Sequence, residues 1–234
     1  MPAVENPGRR ERKRSRTLDH LAATAFALFE AQGYDSVTME QVAAKADVAK
    51  GTLYNHFPVK EALLAHWIHS ELAAHLDLLA ADVARQASFA PRIWAVLNSA
   101  IVWCEGHRAY LPHYLRFRFL DINAGTIAEE GAMSNGVDRL FEAAIAASQH
   151  SGELRKDLGA AHLAALFNHL YLGALIRWLT VPDSKLEEEF AAIVTLFVAG
   201  AGAAQRPAKR AALAKQRAPV PSRSGGKRPA KPAR

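Results

Sequence analysis

Apolar positions recur every three or four residues along most of the chain, which is the spacing of helices that bury one face. The first such segment runs from about Thr17 to Gln32. It ends before Gly33, because glycine favours the left-handed backbone found just past a helix. No stretch of the sequence alternates apolar and polar residues as a strand would. The pattern therefore predicts an all-α fold.

Two short helices are predicted after the first one. Thr38 and Gln41 match a capping box, in which each side chain binds the backbone amide of the other residue. This pair predicts a helix from Thr38 to about Ala46, followed by a tight turn over residues 47–49. The next helix is predicted over residues 50–56, because Pro58 disfavours helical geometry in the residue before it.

Longer helices are predicted in the rest of the chain, which gives about nine in total. Lys60 opens a helix that continues to about Gln86. Ser184 with Glu187 matches a second capping box and predicts the start of the last helix. The helices after Gln86 are predicted over residues 89–106, 110–121, 132–150, 158–181 and 184–204.

The two short helices and the turn between them form a helix-turn-helix, the unit whose second helix enters the major groove of DNA. Leu53 and Phe57 are expected to point into the core. The polar side chains between and before them are expected to face outward. The apolar positions that hold the two helices against Phe26 and Phe29 are Val42, Ala43, Val48 and Leu53.

Charge is unevenly distributed over the chain, whose formal net charge is +6. Residues 1–16 contain six basic and two acidic residues, and residues 205–234 contain ten basic residues and no acid. The segment between them holds 13 basic and 21 acidic residues, so its charge is −8. Positive ends on an acidic body indicate a polyanionic partner. Residues 205–234 also contain five prolines and no aromatic residue, which predicts a disordered tail.

The stretch from Leu28 to Leu64, LFEAQGYDSVTMEQVAAKADVAKGTLYNHFPVKEALL, resembles the DNA-binding domain of the tetracycline-repressor (TetR) family. The resemblance rests on the first-helix phenylalanine, the glycine-tyrosine turn, the threonine cap, the VAKGTLYNHF core and the Lys60-Glu61 pair. Two positions depart from the family pattern. Asp47 stands where the family usually has glycine, and Ala49 stands where it usually has serine or threonine.

This resemblance implies a set of DNA contacts. Asn55 would pair with adenine, and Lys50 would reach a guanine edge or a phosphate. Tyr54 and Lys60 would bind phosphates, the latter with help from a helix N-terminus. Gly51 would let the helix lie close to the duplex, although it could instead belong to the turn. The complete set of expected DNA contacts is Thr38, Lys50, Gly51, Thr52, Tyr54, Asn55, His56 and Lys60.

The resemblance also implies a domain organisation and a dimer. A disordered basic arm over residues 1–16 would precede a DNA-binding domain over residues 17–62. A regulatory and dimerisation domain over residues 63–204 would precede the tail. The last two helices, 158–204, carry many alanines and glycines together with Leu166, Leu170, Phe197 and Val198. They would join two subunits, although they could instead form a hairpin buried in one subunit.

An unknown small-molecule effector is expected to bind the larger domain, because aromatic and polar residues are concentrated between residues 90 and 180. Arg116 and Arg118 are interpreted as a solvated helix face, and an anionic ligand is the alternative. The residues expected to contact the effector are Trp103, His107, Tyr114, Phe117, His169 and Trp178.

The predicted function is that of a ligand-responsive transcriptional regulator, a repressor, which binds a palindromic operator on double-stranded DNA as a homodimer. An architectural, largely sequence-independent nucleic-acid binder is the alternative. An enzyme is not expected, because the HExxH, GxSxG and phosphate-loop motifs are absent. No cofactor or metal is expected either, although His66, His69 and His75 share one helix. Cys104 is the only cysteine and is interpreted as a buried thiol of a cytoplasmic, non-membrane protein.

Overall fold

Nine α-helices form the computed structural model of the chain, which describes residues 8–120 and 136–202. Within these two ranges no β-strand occurs, and Leu154 and Gly202 form an isolated antiparallel bridge. The predicted all-α fold is therefore confirmed. The helices are α1 Arg9–Gln32, α2 Met39–Lys45, α3 Lys50–His56, α4 Lys60–Arg85, α5 Phe89–Gly106, α6 Leu111–Leu120, α7 Val137–Ser151, α8 Ala160–Thr180 and α9 Leu186–Ala201.

Helix α1 begins well before the predicted Thr17. The carbonyl of Gly8 accepts hydrogen bonds from the amides of Glu11 and Arg12 at 3.0 and 3.1 Å, which closes the first turn. Arginine, lysine and glutamate are strong helix formers, so the charged segment extends the helix rather than fraying from it. The prediction of a disordered arm is therefore wrong for residues 9–16. The predicted disorder of residues 1–7 and of the tail falls outside the described residues.

Several helix ends follow the predicted local signals. Gly33 and Gly152 have positive φ angles of 84° and 86°, which favour glycine, directly after α1 and α7. The capping box predicted from Ser184 is wrong. Its hydroxyl donates to the carbonyls of Trp178 and Val181 at 3.2 and 2.9 Å, so it satisfies the end of α8 instead of the start of α9.

The first four helices share a core. Leu21 and Ala25 of α1, Val42 of α2, Leu53 of α3 and Leu64 of α4 are fully buried. Because α4 packs on α1 at its start and extends into the rest of the chain, it belongs to both parts of the fold. The predicted boundary between residues 62 and 63 therefore falls in the first turn of α4.

Aromatic side chains fill the core of the larger part. Phe167 of α8 packs edge-on against Phe141 of α7 and Phe197 of α9, with ring centroids 4.9 and 5.0 Å apart. Tyr171, one turn further along α8, stacks on Phe190 at 5.2 Å. Each such buried ring contributes about 1.5–3 kcal/mol to folding. This packing fixes α8, which also forms one wall of the cavity described below.

Candidate nucleic-acid interface and effector cavity

Helix α2 is held by the predicted capping box. The Thr38 hydroxyl oxygen accepts from the Gln41 amide at 3.3 Å, and the Gln41 side-chain oxygen accepts from the Thr38 amide at 2.7 Å. The local prediction is confirmed because both bonds join residues three apart and need no distant partner. The Thr38 side chain is exposed, and its hydroxyl proton can still be donated to a phosphate.

The turn between α2 and α3 depends on Asp47, whose φ of 53° is left-handed. Aspartate tolerates this conformation better than most residues, which explains how it replaces the glycine usual in the family. The Val48 amide donates to the Ala43 carbonyl at 3.0 Å and closes the turn. Ala49 is the N-cap of α3 and makes no side-chain cap, as its methyl group predicts.

Helix α3 divides into a buried and an exposed side. Leu53 is fully buried and Phe57, just after the helix, is 5 % exposed, so the predicted core positions are confirmed. His56 is half-buried. A Cβ atom added at Gly51 would meet no atom of the chain within 4 Å, so the fold itself does not require a glycine there. The predicted contact residues that are exposed on α3 are Lys50, Gly51, Thr52, Tyr54 and Asn55.

An acidic side chain of α2 contacts two of these residues. The Tyr54 hydroxyl donates to a carboxylate oxygen of Glu40 at 3.3 Å, and the Lys50 ammonium lies 3.7 Å from the same oxygen. The pKa of the Glu40 carboxyl is lowered, first by a hydrogen bond from its own backbone and further by Lys50 and Tyr54. Glu40 therefore carries a negative charge beside the surface predicted to meet phosphates.

Lys60 has partners within the protein. Its ammonium donates to the Tyr34 carbonyl at 2.9 Å and lies 4.4 Å above the centre of the Tyr34 ring. The Val37 carbonyl accepts a longer bond at 3.5 Å. Lys60 thus ties the start of α4 to the segment between α1 and α2, and its predicted phosphate contact stays a prediction.

The larger part of the chain encloses a cavity of about 360 Å³ between α4, α5, α6, α7 and α8. Its wall is mainly apolar, which suits the burial of a small molecule. Trp103, Tyr114 and His169, three of the residues expected to contact an effector, line it, and the contact itself stays a prediction. The apolar side chains of the wall include Ile68, Leu72, Leu76, Leu79, Val96, Ala100, Leu111, Leu115, Val137, Leu172 and Leu175.

Three residues predicted to contact an effector are absent from the wall of this cavity. The His107 ring stacks on Trp103 at 4.5 Å and lies 5.4 Å from Trp67, within the contact between α1 and α4. Trp178 is 3 % exposed, and the Arg108 guanidinium lies over its ring at 4.5 Å. Phe117 is half-buried against the core. All three are predicted from residue type alone, and residue type does not determine the direction of a side chain around a helix.

Sequence reasoning missed three polar residues of the cavity wall, namely Ser99, Asp138 and Asn168. The wall also contains Tyr171, which belongs to the aromatic residues concentrated in this region, His75, which is weighed only as a metal ligand, and Arg118. The interpretation of Arg118 as part of a solvated face is wrong, whereas Arg116 is exposed. The sequence spacing places Arg118 in the wall, because Arg118 lies one helical turn after Tyr114 and residues four apart share a helix face.

Cys104 also lines the cavity, and burial raises the pKa of its thiol to about 12. The predicted buried thiol is confirmed.

Arg118, Tyr114 and His69 form a polar cluster at the junction of α4 and α6. The His69 Nε2 atom lies 2.9 Å from the Tyr114 hydroxyl and 3.1 Å from an Arg118 guanidinium nitrogen. Burial, followed by the charges of Arg118 and His66, lowers the pKa of His69 to about 4. The imidazole is therefore neutral at pH 7, and its Nε2 accepts from both neighbours because a guanidinium can only donate.

Aromatic and polar contacts connect the DNA-binding helices to the rest of the chain. Phe26 of α1 stacks on Trp67 of α4 with an interplanar angle of 4°. Asp19 of α1 accepts from His66 of α4 at 2.8 Å. Tyr34, in the turn after α1, stacks on His113 of α6 at 3.9 Å. Helix α4 therefore touches α1, helix α6 touches the turn after α1, and both α4 and α6 line the cavity.

The outer side of α8 and α9 leaves apolar residues in solvent. Leu166 and Ile176 of α8 are 44 % and 48 % exposed, and Leu196 of α9 is 62 % exposed. The predicted interface residue Val198 is 40 % exposed, whereas Phe197 is 6 % exposed and belongs to the subunit's own core. Of the predicted small residues, Ala165, Gly173 and Ala192 are exposed, and Ala164 is buried.

Within the described ranges, no helix is long and apolar enough to cross a membrane.

The three histidines on α4 that could form a metal site have separate partners. His66 contacts Asp19, His69 contacts Tyr114, and His75 contacts the Glu71 carbonyl at 2.9 Å. The same part of the chain contains no group of three histidine, cysteine or acidic residues placed to hold a metal ion.

The fold and the exposed side of α3 define the chain as a helix-turn-helix regulator that binds DNA. The family described as "Bacterial regulatory proteins, tetR family" matches residues 21–66. The transcriptional repressor KstR of Mycobacterium tuberculosis is 30 % identical over 170 residues, which cover 72 % of this chain and 71 % of that protein. The chain belongs to the tetR family of bacterial regulatory proteins, and it is a transcriptional repressor.

Other similar proteins agree with this assignment. The transcriptional regulator TcmR of Streptomyces glaucescens is 27 % identical over 188 residues, 77 % of this chain and 81 % of that one. Among solved structures, the TetR-family repressor FadR of Thermus thermophilus in complex with lauroyl-CoA has a TM-score of 0.68. It is 21 % identical, with 82 % of this chain and 98 % of that chain covered, and supports the fold alone. The alternative of an architectural binder finds no support, and the absence of enzymatic activity stays a prediction.

Proposed function

We propose that the chain binds a palindromic operator as a homodimer, with α3 of each subunit in the major groove, and that a small apolar molecule in the cavity releases it. The observation that carries the proposal is the division of α3. Leu53 faces the core, while the residues expected to touch DNA lie together on the opposite, exposed side. A short recognition helix reads few base pairs, so two copies on a symmetric site supply specificity.

Individual roles follow from chemistry and exposure. Asn55 pairs with adenine through its amide, and Lys50 donates to a guanine edge or a phosphate. Thr38, Thr52 and Tyr54 donate hydroxyl protons to phosphates. His56 and Lys60 contact phosphates at the edge of the interface, the latter after giving up part of its bonding to Tyr34. These contacts require the chain to share a compartment with DNA, in agreement with the predicted cytoplasmic location.

The dimer forms through the outer side of α8 and α9. Four large apolar residues there, Leu166, Ile176, Leu196 and Val198, are at least 40 % exposed. Exposed large apolar side chains favour an interaction surface on these helices, and small exposed residues such as Gly173 allow two helix pairs to approach closely. Leu196→Glu is expected to give a monomer in analytical ultracentrifugation, whereas Leu78→Glu, at another exposed leucine, keeps the dimer.

Effector binding acts through α4 and α6, because both line the cavity, α4 packs on α1, and α6 contacts Tyr34 in the turn between α1 and α2. The FadR proteins of Thermus thermophilus and Bacillus subtilis were crystallised with lauroyl-CoA and stearoyl-CoA. These ligands carry long apolar chains, and the apolar wall of this cavity suits such a chain. A ligand that fits only one arrangement of α4 and α6 shifts the dimer toward that arrangement and changes the distance between the two copies of α3.

Selection from random double-stranded DNA by the purified full-length chain tests operator binding. The proposal predicts an inverted repeat whose half-sites are spaced by about one helical turn or a multiple of it. Salt-sensitive binding with no shared sequence would contradict it. Leu196→Glu serves as the matched variant, and it is expected to lose affinity for the full palindrome because the two half-sites are no longer bound together.

A further inference from the structure

The first two turns of α1 carry a concentrated positive charge. Five basic side chains are exposed there, and Glu11 is the acid of the first turn. Within residues 8–120 and 136–202, none of the five forms an ion pair with a carboxylate. Their charges therefore face solvent without an acidic partner in the described part of the chain. The five residues are Arg10, Arg12, Lys13, Arg14 and Arg16.

One side of this basic segment leads to the end of the proposed recognition helix. Asp19 of α1 accepts from His66 of α4 at 2.8 Å. The His66 ring lies edge-on to the ring of Phe57, the residue directly after α3, with centroids 5.5 Å apart. Arg12 and Arg16 lie seven and three residues before Asp19, so the three side chains share one face of α1. This face therefore carries two arginines beyond the point where α1 meets His66 beside the end of α3.

The arrangement of these charges opposes the helix that carries them. Positive side chains in the first turn, such as Arg10 and Arg12, are unfavourable beside the positive end of the helix macrodipole. Arg12 and Arg16 also repel each other, because like charges four residues apart are neighbours on a helix surface. A polyanion beside this face would offset both effects. DNA is the polyanion that the neighbouring α3 is proposed to bind.

We propose that Arg12 and Arg16 bind phosphates of the DNA backbone next to the base pairs that α3 reads. The inference rests on the proposed function, because it takes α3 as the recognition helix. The planar fork of a guanidinium donates two parallel hydrogen bonds to a phosphate. The two arginines are about 6 Å apart along the helix axis, so their long side chains can reach successive phosphates of one strand. Such contacts add affinity without sequence preference.

The salt dependence of DNA binding tests the two contacts. The full-length chain and a variant with both Arg12→Gln and Arg16→Gln are titrated onto the selected operator at several potassium chloride concentrations. Each lost phosphate contact lowers the slope of log affinity against log salt by about 0.9, so the slope of the variant should be smaller by about 1.8. Its affinity at 0.1 M salt should fall at least about tenfold, whereas the sequence it selects should be unchanged.

A variant with both Arg10→Gln and Arg14→Gln is the matched control. It removes the same charge from the same two turns, but Arg10 and Arg14 share the face of α1 that carries Leu18, which packs against the core. The slope of this control should fall by less than half as much. A variant with both Arg12→Lys and Arg16→Lys keeps the charges and should keep most of the slope.

The inference is overturned if the Arg12 and Arg16 glutamine variant keeps the slope of the unaltered chain, or if the control loses as much. It is also overturned if the lysine variant loses the slope as the glutamine variant does, or if the glutamine variant selects a different base sequence.

A random duplex of the same length separates this inference from the proposed function, because phosphate contacts need no particular sequence. An unaltered chain that selects no inverted repeat contradicts operator reading by α3. A smaller slope of the Arg12 and Arg16 glutamine variant on the random duplex would still support the two phosphate contacts. Equal slopes on the random duplex and on a selected inverted repeat would overturn the contacts and leave operator reading by α3 intact.

Discussion

The Tyr54 hydroxyl on the exposed side of α3 donates a hydrogen bond to Glu40 of α2 at 3.3 Å. The same carboxylate lies 3.7 Å from the Lys50 ammonium. Two residues proposed to bind phosphates are therefore held by a negative charge that phosphates would repel. DNA binding must replace these internal contacts, so Glu40 competes with DNA for Tyr54 and Lys50.

Glu40→Gln is expected to raise operator affinity about fivefold, because one repulsive charge near the phosphates is worth about 1 kcal/mol in water. Fluorescence anisotropy with labelled operator measures the change. Glu105→Gln, at an exposed position of α5 outside the proposed DNA and dimer surfaces, is the control and should leave affinity unchanged. A lower affinity for Glu40→Gln would mean that the carboxylate positions Tyr54 and Lys50 for DNA instead of competing for them.

Gly51→Ala is expected to weaken operator binding by at least about tenfold, because the added methyl group would keep α3 from lying close to the duplex. Folding should stay intact, because the added Cβ would meet no protein atom and alanine favours helices. Anisotropy and thermal unfolding measure the two effects. Gly106→Ala, another exposed helical position with no atom within 4 Å of the added Cβ, is the control for stability. Unchanged DNA affinity would show that the α3 backbone does not approach the duplex at this residue.

Ala49→Ser is expected to stabilise the chain by about 1 kcal/mol, because a hydroxyl would cap the first amides of α3. For a chain of this size the melting temperature should rise by about 2–4 °C. Operator affinity should rise as well, because the hydroxyl also reaches a phosphate. Ala49→Gly, which relaxes the N-cap without adding a hydroxyl, separates the two effects. If both variants bind DNA equally well, the phosphate contact at this position is excluded.

Folding stability is expected to fall as the pH is lowered below the ordinary histidine pKa of about 6.5. The pKa of His69 is about 4 in the folded chain, since burial and the nearby charges of Arg118 and His66 oppose protonation. Between these two values the unfolded chain binds a proton that the folded chain does not, so acid favours unfolding. Thermal unfolding from pH 7 to pH 4 should show a smaller loss for His69→Gln. Parallel curves for both proteins would contradict the shifted pKa.

Local signals accounted for most of the predicted fold. The Thr38 capping box, the Gly33 helix end and the apolar spacing of α1 each depend on residues a few positions apart, so the sequence alone specifies them. Local predictions failed where a side chain bonds to a partner outside its own helix. The hydroxyl of Ser184 bonds back to α8 rather than capping α9, which its spacing to Glu187 does not reveal.

The cavity was less predictable than the DNA-binding surface. Three of its predicted residues line it because aromatic residues are common in such walls, and three do not, because rotation about a helix axis depends on packing. Trp178 illustrates this, since the guanidinium of Arg108, two residues after α5, covers its ring, and Trp178 does not line the cavity although Leu175 of the same helix does. The charge of Arg118 suggests a solvated position, whereas a neutral histidine and a tyrosine contact it inside the fold.

Asn55 tests the central claim most directly, because a base contact and a phosphate contact give different outcomes on selection from random DNA. If α3 of each subunit reads bases, the unaltered chain selects an inverted repeat. Asn55→Ala should then select a repeat in which one base pair is relaxed at the same position of both half-sites. Selection of an identical sequence by both proteins, or of no inverted repeat by the unaltered chain, would contradict symmetric reading of the operator by α3.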